Sequence, residues 1–242
     1  MPSPDPSPGF GTTRWTWVGA AGGADSERAR AALAELCAAY WYPLYAFVRR
    51  SGVAASEAED VVQDFFARLI EKRDLGQVVR GRGRFRSFLC VAVRNHLANL
   101  RDRERAAKRG GGRVRLAVDL GAAAERYERE LPAIERDTPE RIFDRAWARE
   151  LMAACLVGLE QEYELSGRGP TFRALRDRLV PGSSGAPLSE LARELGSSEG
   201  ALRVATHRLR ARFGERLREE IARTVASPEE IEAEIDELFR AV

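Results

Sequence analysis

Apolar residues recur every three or four positions along most of this chain, which is the spacing of one buried face of an α-helix. The pattern predicts helices over 25–51, from 56 and from 85 onward, and then over 139–159, 171–180, 188–213 and 228–239. Strict alternation of apolar and polar residues, which is typical of half-buried strands, is nearly absent. We therefore predict an all-α protein.

Clusters of glycine and proline separate these helices and indicate how the chain is organised. We predict two helical domains that are joined by a linker, with an additional segment at each end. The predicted segments are a disordered tail at 1–23, a helical domain at 24–112, a linker at 113–138 in which 122–130 can form a helix, a second helical domain at 139–225, and a C-terminal amphipathic helix at 226–242. The apolar face of that last helix must be buried, either in its own domain or against a partner.

The segment 188–213 has the pattern of a helix-turn-helix. Gly196 can end the first helix in a left-handed conformation, and Ser197 or Ser198 can cap the second. An apolar stripe on the second helix lies opposite a polar, mostly basic stripe, which suits the major groove of DNA. A plain helical hairpin with a solvated basic face has the same pattern and remains an alternative. The polar stripe consists of Glu199, Arg203, Thr206, His207 and Arg210.

The small net charge of +2 conceals a strong segregation of charge along the chain. Residues 78–115 hold 12 Arg or Lys and 2 Asp or Glu, whereas residues 116–165 hold 6 and 12. A basic block of this size favours binding to phosphate groups. Phe85 and Phe88 lie among its arginines, and rings interleaved with cations are typical of proteins that bind single-stranded DNA. We expect Phe85 to be a core residue, while Phe88 could serve either purpose.

The second helix places acidic and amide side chains opposite its apolar stripe. Asp60, Gln63 and Asp64 are predicted to form part of a solvent-facing ridge, which by spacing alone is most simply a solubility feature. Asp60 and Asp64 have no evident third acidic or histidine partner for metal-dependent catalysis, and the chain has no glycine-rich phosphate loop. An enzyme such as a nuclease is therefore not favoured, and we expect no cofactor.

Other features of the sequence limit its location and its chemistry. No apolar run approaches the length of a membrane span, and the N-terminus lacks the features of a signal peptide. Cys37, Cys90 and Cys155 are far apart and the chain has two histidines, so we expect neither disulfides nor a zinc site. These features predict a cytoplasmic protein with no membrane partner.

Four stretches, in this order and spacing, resemble the RNA polymerase sigma factors of the extracytoplasmic-function type, the minimal members of the sigma-70 family. The stretches are YWYPLYAFVRR at 40–50, EAEDVVQDFFARL at 57–69, FRSFLCVAVRNHLANLRDRERAAKR at 85–109 and LSELARELGSSEGALRVATHRLRAR at 188–212. The resemblance implies an N-terminal domain that binds the clamp region of the largest polymerase subunit and opens the −10 element. It also implies a C-terminal domain that reads the −35 element, and it allows an anti-sigma protein as a partner.

The resemblance assigns roles to individual residues. It turns the acidic ridge from a solubility feature into a docking surface for core RNA polymerase. The implied polymerase-binding residues are Asp60, Gln63 and Asp64; the implied −10 contacts are Arg84, Arg86, Ser87, Phe88, Arg94 and Asn95, with Arg101, Arg103 and Arg105 on phosphates; and the implied −35 contacts are Ser198, Glu199, Arg203, His207 and Arg210.

One segment departs from the family pattern. The family usually has a short connection before its helix-turn-helix, whereas here 162–187 inserts a helix flanked by glycines, so the packing of the second domain is open. The main alternative to a sigma factor is a helix-turn-helix repressor or activator that acts on promoter DNA without polymerase docking.

Overall fold

A computed structural model describes residues 27–71, 84–106, 120–134, 136–179 and 185–242. Side chains are described within these ranges from Cys37 onward, except at 70–71, 103–106 and 120–121. Every regular element in the described part of the chain is helical, which confirms the predicted all-α class. The predicted N-terminal tail at 1–23 lies outside the described residues.

The helices are named here in chain order. They are α1 (Glu27–Arg50), α2 (Ala55–Glu71), α3 (Phe85–Ala106), α4 (Leu120–Ile134), α5 (Pro139–Leu165), α6 (Gly169–Leu175), α7 (Leu188–Glu194), α8 (Glu199–Ala222) and α9 (Ile231–Ala241), with 3-10 turns at Arg176–Leu179 and Pro228–Glu230. The predicted cap of α5 is present, because the Thr138 hydroxyl accepts a hydrogen bond from the Arg141 N–H at 3.3 Å.

The chain divides into two compact units. Unit 1 consists of Met1–Ala148 together with Ala222–Val242, and unit 2 consists of Arg149–Ile221. The division differs from the predicted domains, because it falls inside α5 and at the end of α8 rather than in the predicted linker. The first turns of α5 and the whole of α9 therefore belong to unit 1.

An aromatic segment of α1 is the centre of the core of unit 1. Its rings are buried, and they contact rings from four other helices. The pairs, with the distances between ring centroids, are Tyr40 with Phe85 of α3 (5.3 Å) and Phe143 of α5 (6.4 Å), Trp41 with Phe66 of α2 (6.1 Å), and Tyr45 with Tyr127 of α4 (6.2 Å). The burial of Phe85 confirms that this residue is part of the core.

Much of the predicted linker is a helix of unit 1. α4 buries Ala123, Tyr127 and Ile134, and the Tyr42 hydroxyl donates a hydrogen bond to Glu130 at 2.8 Å. The helix that was predicted to form within the linker at 122–130 is therefore present, and it is longer, over Leu120–Ile134. Its buried residues are spaced by four and by seven, so they form one face of the helix.

The C-terminal helix α9 buries its apolar face in unit 1. Ile235 and Leu238 are buried, and so is the carboxylate of Glu234. The chain enters this region at Thr224, whose carbonyl accepts a hydrogen bond from the Phe85 N–H at 3.0 Å. α9 therefore packs in unit 1, with α3 and the first turns of α5.

Unit 2 has a core to which the inserted helix α6 contributes. Phe172 and Leu175 of α6 are buried, and the Phe172 ring lies 5.7 Å from that of Tyr163. The remaining buried residues of this core come from α5, α7 and α8, and they are Leu159, Leu191, Ala192, Leu202 and Leu209. The insertion is thus a structural element of the unit that contains the helix-turn-helix.

We predict that Phe172→Ala lowers the free energy of unfolding by about 3–5 kcal/mol, because it removes a buried ring and leaves a cavity. Urea unfolding monitored by circular dichroism measures the change. Arg173→Ala, on the exposed side of the same helix, is the control and should change stability by less than about 1 kcal/mol. Equal effects of the two substitutions would show that α6 is peripheral to the core.

Candidate nucleic-acid interface

Two arginines at the start of α3 are bound by carboxylates of other helices. Arg86 donates hydrogen bonds to both oxygens of Glu234 (2.6 and 3.1 Å), to Asp144 (2.5 Å) and to Glu237. Arg84 forms ion pairs with Glu234 (2.9 Å) and Glu237. We call these five residues the Arg86 cluster.

The Arg86 cluster is withdrawn from water. The Arg86 side chain is 8 % exposed, and its guanidinium carbon lies 5.4 Å from the centre of the Trp147 ring. Burial lowers the pKa of Arg86, but the hydrogen bond to Glu234 and the charges of Asp144 and Glu234 outweigh it and raise that pKa above its ordinary value. The guanidinium therefore remains charged at every physiological pH.

The expected exposure of Arg84 and Arg86 to DNA is corrected by this geometry. Arg86 is buried, and Arg84 is partly covered by the same carboxylates. The physical reason is that α9 brings two acidic side chains to the start of α3. The sequence predicted that the apolar face of α9 is buried, but not where. Arg86 is therefore covered in this arrangement, whereas Arg84 keeps a side chain that is 21 % exposed.

Further along α3, one side of the helix is exposed. Ser87, Val91 and Asn95 follow each other at intervals of four residues and so form one row on this side. Phe88 is half-buried, and its ring centroid lies 6.2 Å from that of Phe85. The exposed residues on this side are Ser87, Val91, Arg94, Asn95, Ala98, Asn99, Arg101 and Asp102.

The two arginines on this exposed side of α3 contact neighbouring groups. Arg94 forms an ion pair with Glu140, and Arg101 donates a hydrogen bond to the Ser51 carbonyl at 2.7 Å. Both are exposed, so neither contact is a strong barrier to a phosphate. Arg103 and Arg105 belong to the last turns of α3, and their side chains lie outside the described residues.

Sequence reasoning missed Val91 and Asn99 in this row. Val91 is 52 % exposed, although an apolar residue in an amphipathic pattern is expected to face the core. The signal that could have identified both residues is their spacing of four positions from Ser87 and Asn95, the two neighbours that the family resemblance assigns to DNA. An exposed valine on a polar face is suited to contact with a base or a methyl group.

The predicted polymerase-docking residues are less exposed than expected. Gln63 is buried at 5 % exposure, so the expectation of a solvent-facing ridge is wrong at this position. Asp64 is half-buried and accepts a hydrogen bond from Arg68 at 2.8 Å, and its carboxylate lies 3.5 Å from the imidazole of His96. α2 is covered on more than one side, so its buried face is broader than the apolar stripe indicates.

In unit 2 the helix-turn-helix has the predicted local geometry. Gly196 adopts a positive φ of 59° between the two helices, which a residue without a side chain does at little cost. The Ser198 hydroxyl accepts a hydrogen bond from the Ala201 N–H at 3.2 Å and so caps α8. Leu202 and Leu209 anchor α8 in the core. The opposite side of α8 is thereby turned to solvent.

The predicted reading residues of α8 lie on that exposed side. Glu199, Arg203, His207 and Arg210 are all exposed. Arg203 pairs with Glu199 at 3.2 Å, while Arg210 donates two hydrogen bonds, of 3.1 and 2.9 Å, to the Arg178 carbonyl. Of Arg203, His207 and Arg210, the first two therefore have the side chains that are held least by the rest of unit 2.

Two further exposed residues on α8 were not predicted. Val204 is 51 % exposed, and Arg208 follows it at a spacing of four residues, so they form a row beside Arg203 and His207. The basic character ends soon afterwards, because Glu162 of α5 accepts hydrogen bonds from Arg212 and Arg216. The hydrogen bond from Arg212 holds the pKa of Glu162 below its ordinary value, so this carboxylate is ionised near neutral pH.

Neither a metal site nor a membrane span is found in the part of the chain that the structure describes. No three His, Cys, Asp or Glu side chains are grouped there to hold a metal ion. Within the same ranges, no helix combines the length and the apolar character that crossing a bilayer requires. Comparison of the chain with protein-family models, with curated proteins and with solved structures found no match.

We predict that Glu234→Gln destabilises unit 1 by roughly 3 kcal/mol, because it leaves a buried guanidinium short of one carboxylate. The estimate is at the low end of the range for broken buried pairs, since Asp144 and Glu237 still face Arg86. Asp236→Asn removes the same charge from an exposed position of α9 and is the matched control. Urea unfolding measures both variants, and equal stability would contradict the structural role of the cluster.

Proposed function

We propose that this chain is an RNA polymerase sigma factor of the extracytoplasmic-function type, which acts in the cytoplasm, at the nucleoid. The observation that carries the proposal is the helix-turn-helix of unit 2. Its second helix, α8, buries Leu202 and Leu209 on one side and exposes basic residues on the other. The exposed polar face of α3 supports it, because it lies in the other unit and suits a second DNA contact. The activity is the direction of transcription initiation, which requires neither catalysis by this chain nor a cofactor.

In this proposal, α8 reads the −35 element in the major groove. Arg203 and His207 are exposed one turn apart near the start of the helix, the region that reaches base edges in helix-turn-helix proteins. Ser198 and Glu199 lie at the helix start, where short polar side chains and N–H groups can meet phosphates or bases. Val204 and Arg208 extend this surface by an apolar and a cationic contact.

The −10 element is assigned to the exposed face of α3. Ser87 and Asn95 can hydrogen-bond to bases, and Arg94 and Arg101 can neutralise phosphates once their weak surface contacts are exchanged. The Phe88 ring, which is half-buried, is proposed to stack on an unpaired base. Unpairing and unstacking of a base costs a few kcal/mol, which stacking and hydrogen bonds on this face would offset.

Docking on core polymerase is the step that makes these weak contacts effective. Once the chain is bound, both units are held near the promoter, so their affinities combine through a high effective concentration. Asp60 and Asp64 remain the proposed docking carboxylates on the clamp region of the largest subunit. Gln63 is proposed to support them from its buried position on α2 rather than to touch the polymerase.

A helix-turn-helix repressor or activator is the second candidate. The observation that favours it is that the carboxylate of Asp64 already faces Arg68 and His96 within unit 1, as a purely structural residue would. This candidate predicts tight and specific binding of the chain alone to duplex DNA. The sigma-factor proposal instead predicts specific binding only in the presence of core polymerase.

Transcription in vitro with purified core polymerase and a promoter library tests the proposal directly. We expect the full chain to direct initiation from a subset of promoters that share two separated sequence elements. As a control, the same core polymerase must initiate transcription when another sigma factor is added. Absence of promoter-specific initiation with that enzyme would refute the proposed function.

We predict that Arg203→Ala costs about 1–3 kcal/mol in promoter binding by the holoenzyme and relaxes selection at the −35 element, if Arg203 reads a base. If it contacts only a phosphate, the loss is similar on all promoters and the salt dependence of log K falls by about one. Arg173→Ala, an exposed arginine of unit 2 on α6, is the control. An unchanged affinity and salt dependence would exclude Arg203 from the reading surface.

A further inference from the structure

We propose that α9 is an intramolecular competitor of DNA: its carboxylates occupy Arg84 and Arg86, and nucleic-acid phosphates and α9 bind these arginines in alternation. The inference rests on the proposed function, since it concerns regulation of the surface assigned to the −10 element. It gives the C-terminal segment a masking role that the family resemblance does not provide.

The contacts made by Glu234 are those that a phosphate group would make. Arg86 binds both oxygens of this carboxylate through two nitrogens, at 2.6 and 3.1 Å. This forked geometry is the one that arginine offers equally to carboxylates and to phosphates. Glu237 lies between Arg84 and Arg86 and pairs with both. The two arginines therefore already hold acidic ligands in the positions that DNA would need.

The balance of charge also favours a masking role. The C-terminal segment 226–242 contains six acidic residues and one arginine. In the Arg86 cluster, two guanidinium groups face three carboxylates, so an excess of positive charge becomes an excess of negative charge when α9 is in place. A phosphate backbone approaching the start of α3 is repelled in this arrangement and attracted without it.

The contacts that hold α9 in unit 1 can be replaced by contacts with a polyanion. Only Ile235 and Leu238 contribute buried apolar side chains from this helix, while Phe239 is half exposed. The ion pairs of the Arg86 cluster and a hydrogen bond from Arg145 to the Ala241 carbonyl at 3.3 Å also hold this helix. A polyanion can replace such contacts with equivalent ones, whereas it cannot replace an extensive apolar interface.

The opposing interpretation is that the cluster serves stability alone. Variants at Glu234 cannot separate the two roles, because they disturb a fully buried carboxylate. Glu237 is suitable, since its side chain is 39 % exposed and Arg86 keeps Glu234 and Asp144 when it is neutralised. Asp236→Asn is again the matched control. It removes the same charge from the preceding residue, which makes no contact within the Arg86 cluster.

The experiment measures binding of the full-length wild type, Glu237→Gln and Asp236→Asn to a fluorescein-labelled oligothymidine of about twenty nucleotides, by anisotropy over a range of salt concentrations. We expect Glu237→Gln to bind at least about threefold more tightly than Asp236→Asn. The salt dependence of log K should become steeper by about 0.7 for each phosphate that a released arginine contacts. Thermal melting verifies that the variants are folded.

Hydrogen exchange provides a second readout that a purely structural role would not move. Addition of the same oligonucleotide to the wild type should speed the exchange of the α9 backbone amides and leave those of α1 protected. Unchanged protection of α9 in the bound state would overturn the proposal. Equal affinities of Glu237→Gln and Asp236→Asn, or no binding by any variant, would also overturn it.

Failure of this inference is distinguishable from failure of the proposed function. If the wild type directs promoter-specific transcription while the two variants bind the oligonucleotide equally, α9 does not compete with DNA but the chain is still a sigma factor. If Glu237→Gln binds more tightly and α9 exchanges faster, but no promoter is used, then α9 masks a nucleic-acid surface in a protein of another function.

Discussion

The buried guanidinium of Arg86 is the constraint on which unit 1 depends. A charge that is withdrawn from water must meet carboxylates at hydrogen-bond distance, or the packing that buries it is lost. Here the carboxylates come from Asp144 of α5 and from Glu234 of α9, which follows Arg86 by 148 residues. The C-terminal end of the chain therefore belongs to unit 1, and unit 2 is the continuous segment between the two parts of unit 1.

Both units neutralise some of their arginines internally and leave others exposed. In unit 1, Arg84 and Arg86 are bound by α9, while Arg94 and Arg101 remain exposed on α3. In unit 2, Glu162 binds Arg212 and Arg216, whereas residues 199–210 of α8 carry an exposed basic row. The carboxylates thus remove these four arginines from the exposed surface, and the rows that remain on α3 and α8 are the two DNA contacts of the proposed function.

Local features were predictable from the sequence, and features that depend on distant partners were not. Gly196 and Ser198 occupy the predicted turn and cap because a left-handed glycine and a capping serine act within a few residues. The burial of Arg86 could not be predicted, because its partners lie on α5 and α9. The exposure of Gln63 was predicted wrongly, because the apolar pattern of α2 does not show how many other helices cover it.

We propose that the two units act together with core polymerase to open promoter DNA. Permanganate probing of thymines on a promoter that the holoenzyme uses detects this opening. We expect unpaired, reactive thymines within the −10 element only when both this chain and core polymerase are present. A promoter that stays fully paired under these conditions, while the chain alone protects one duplex site, would contradict it.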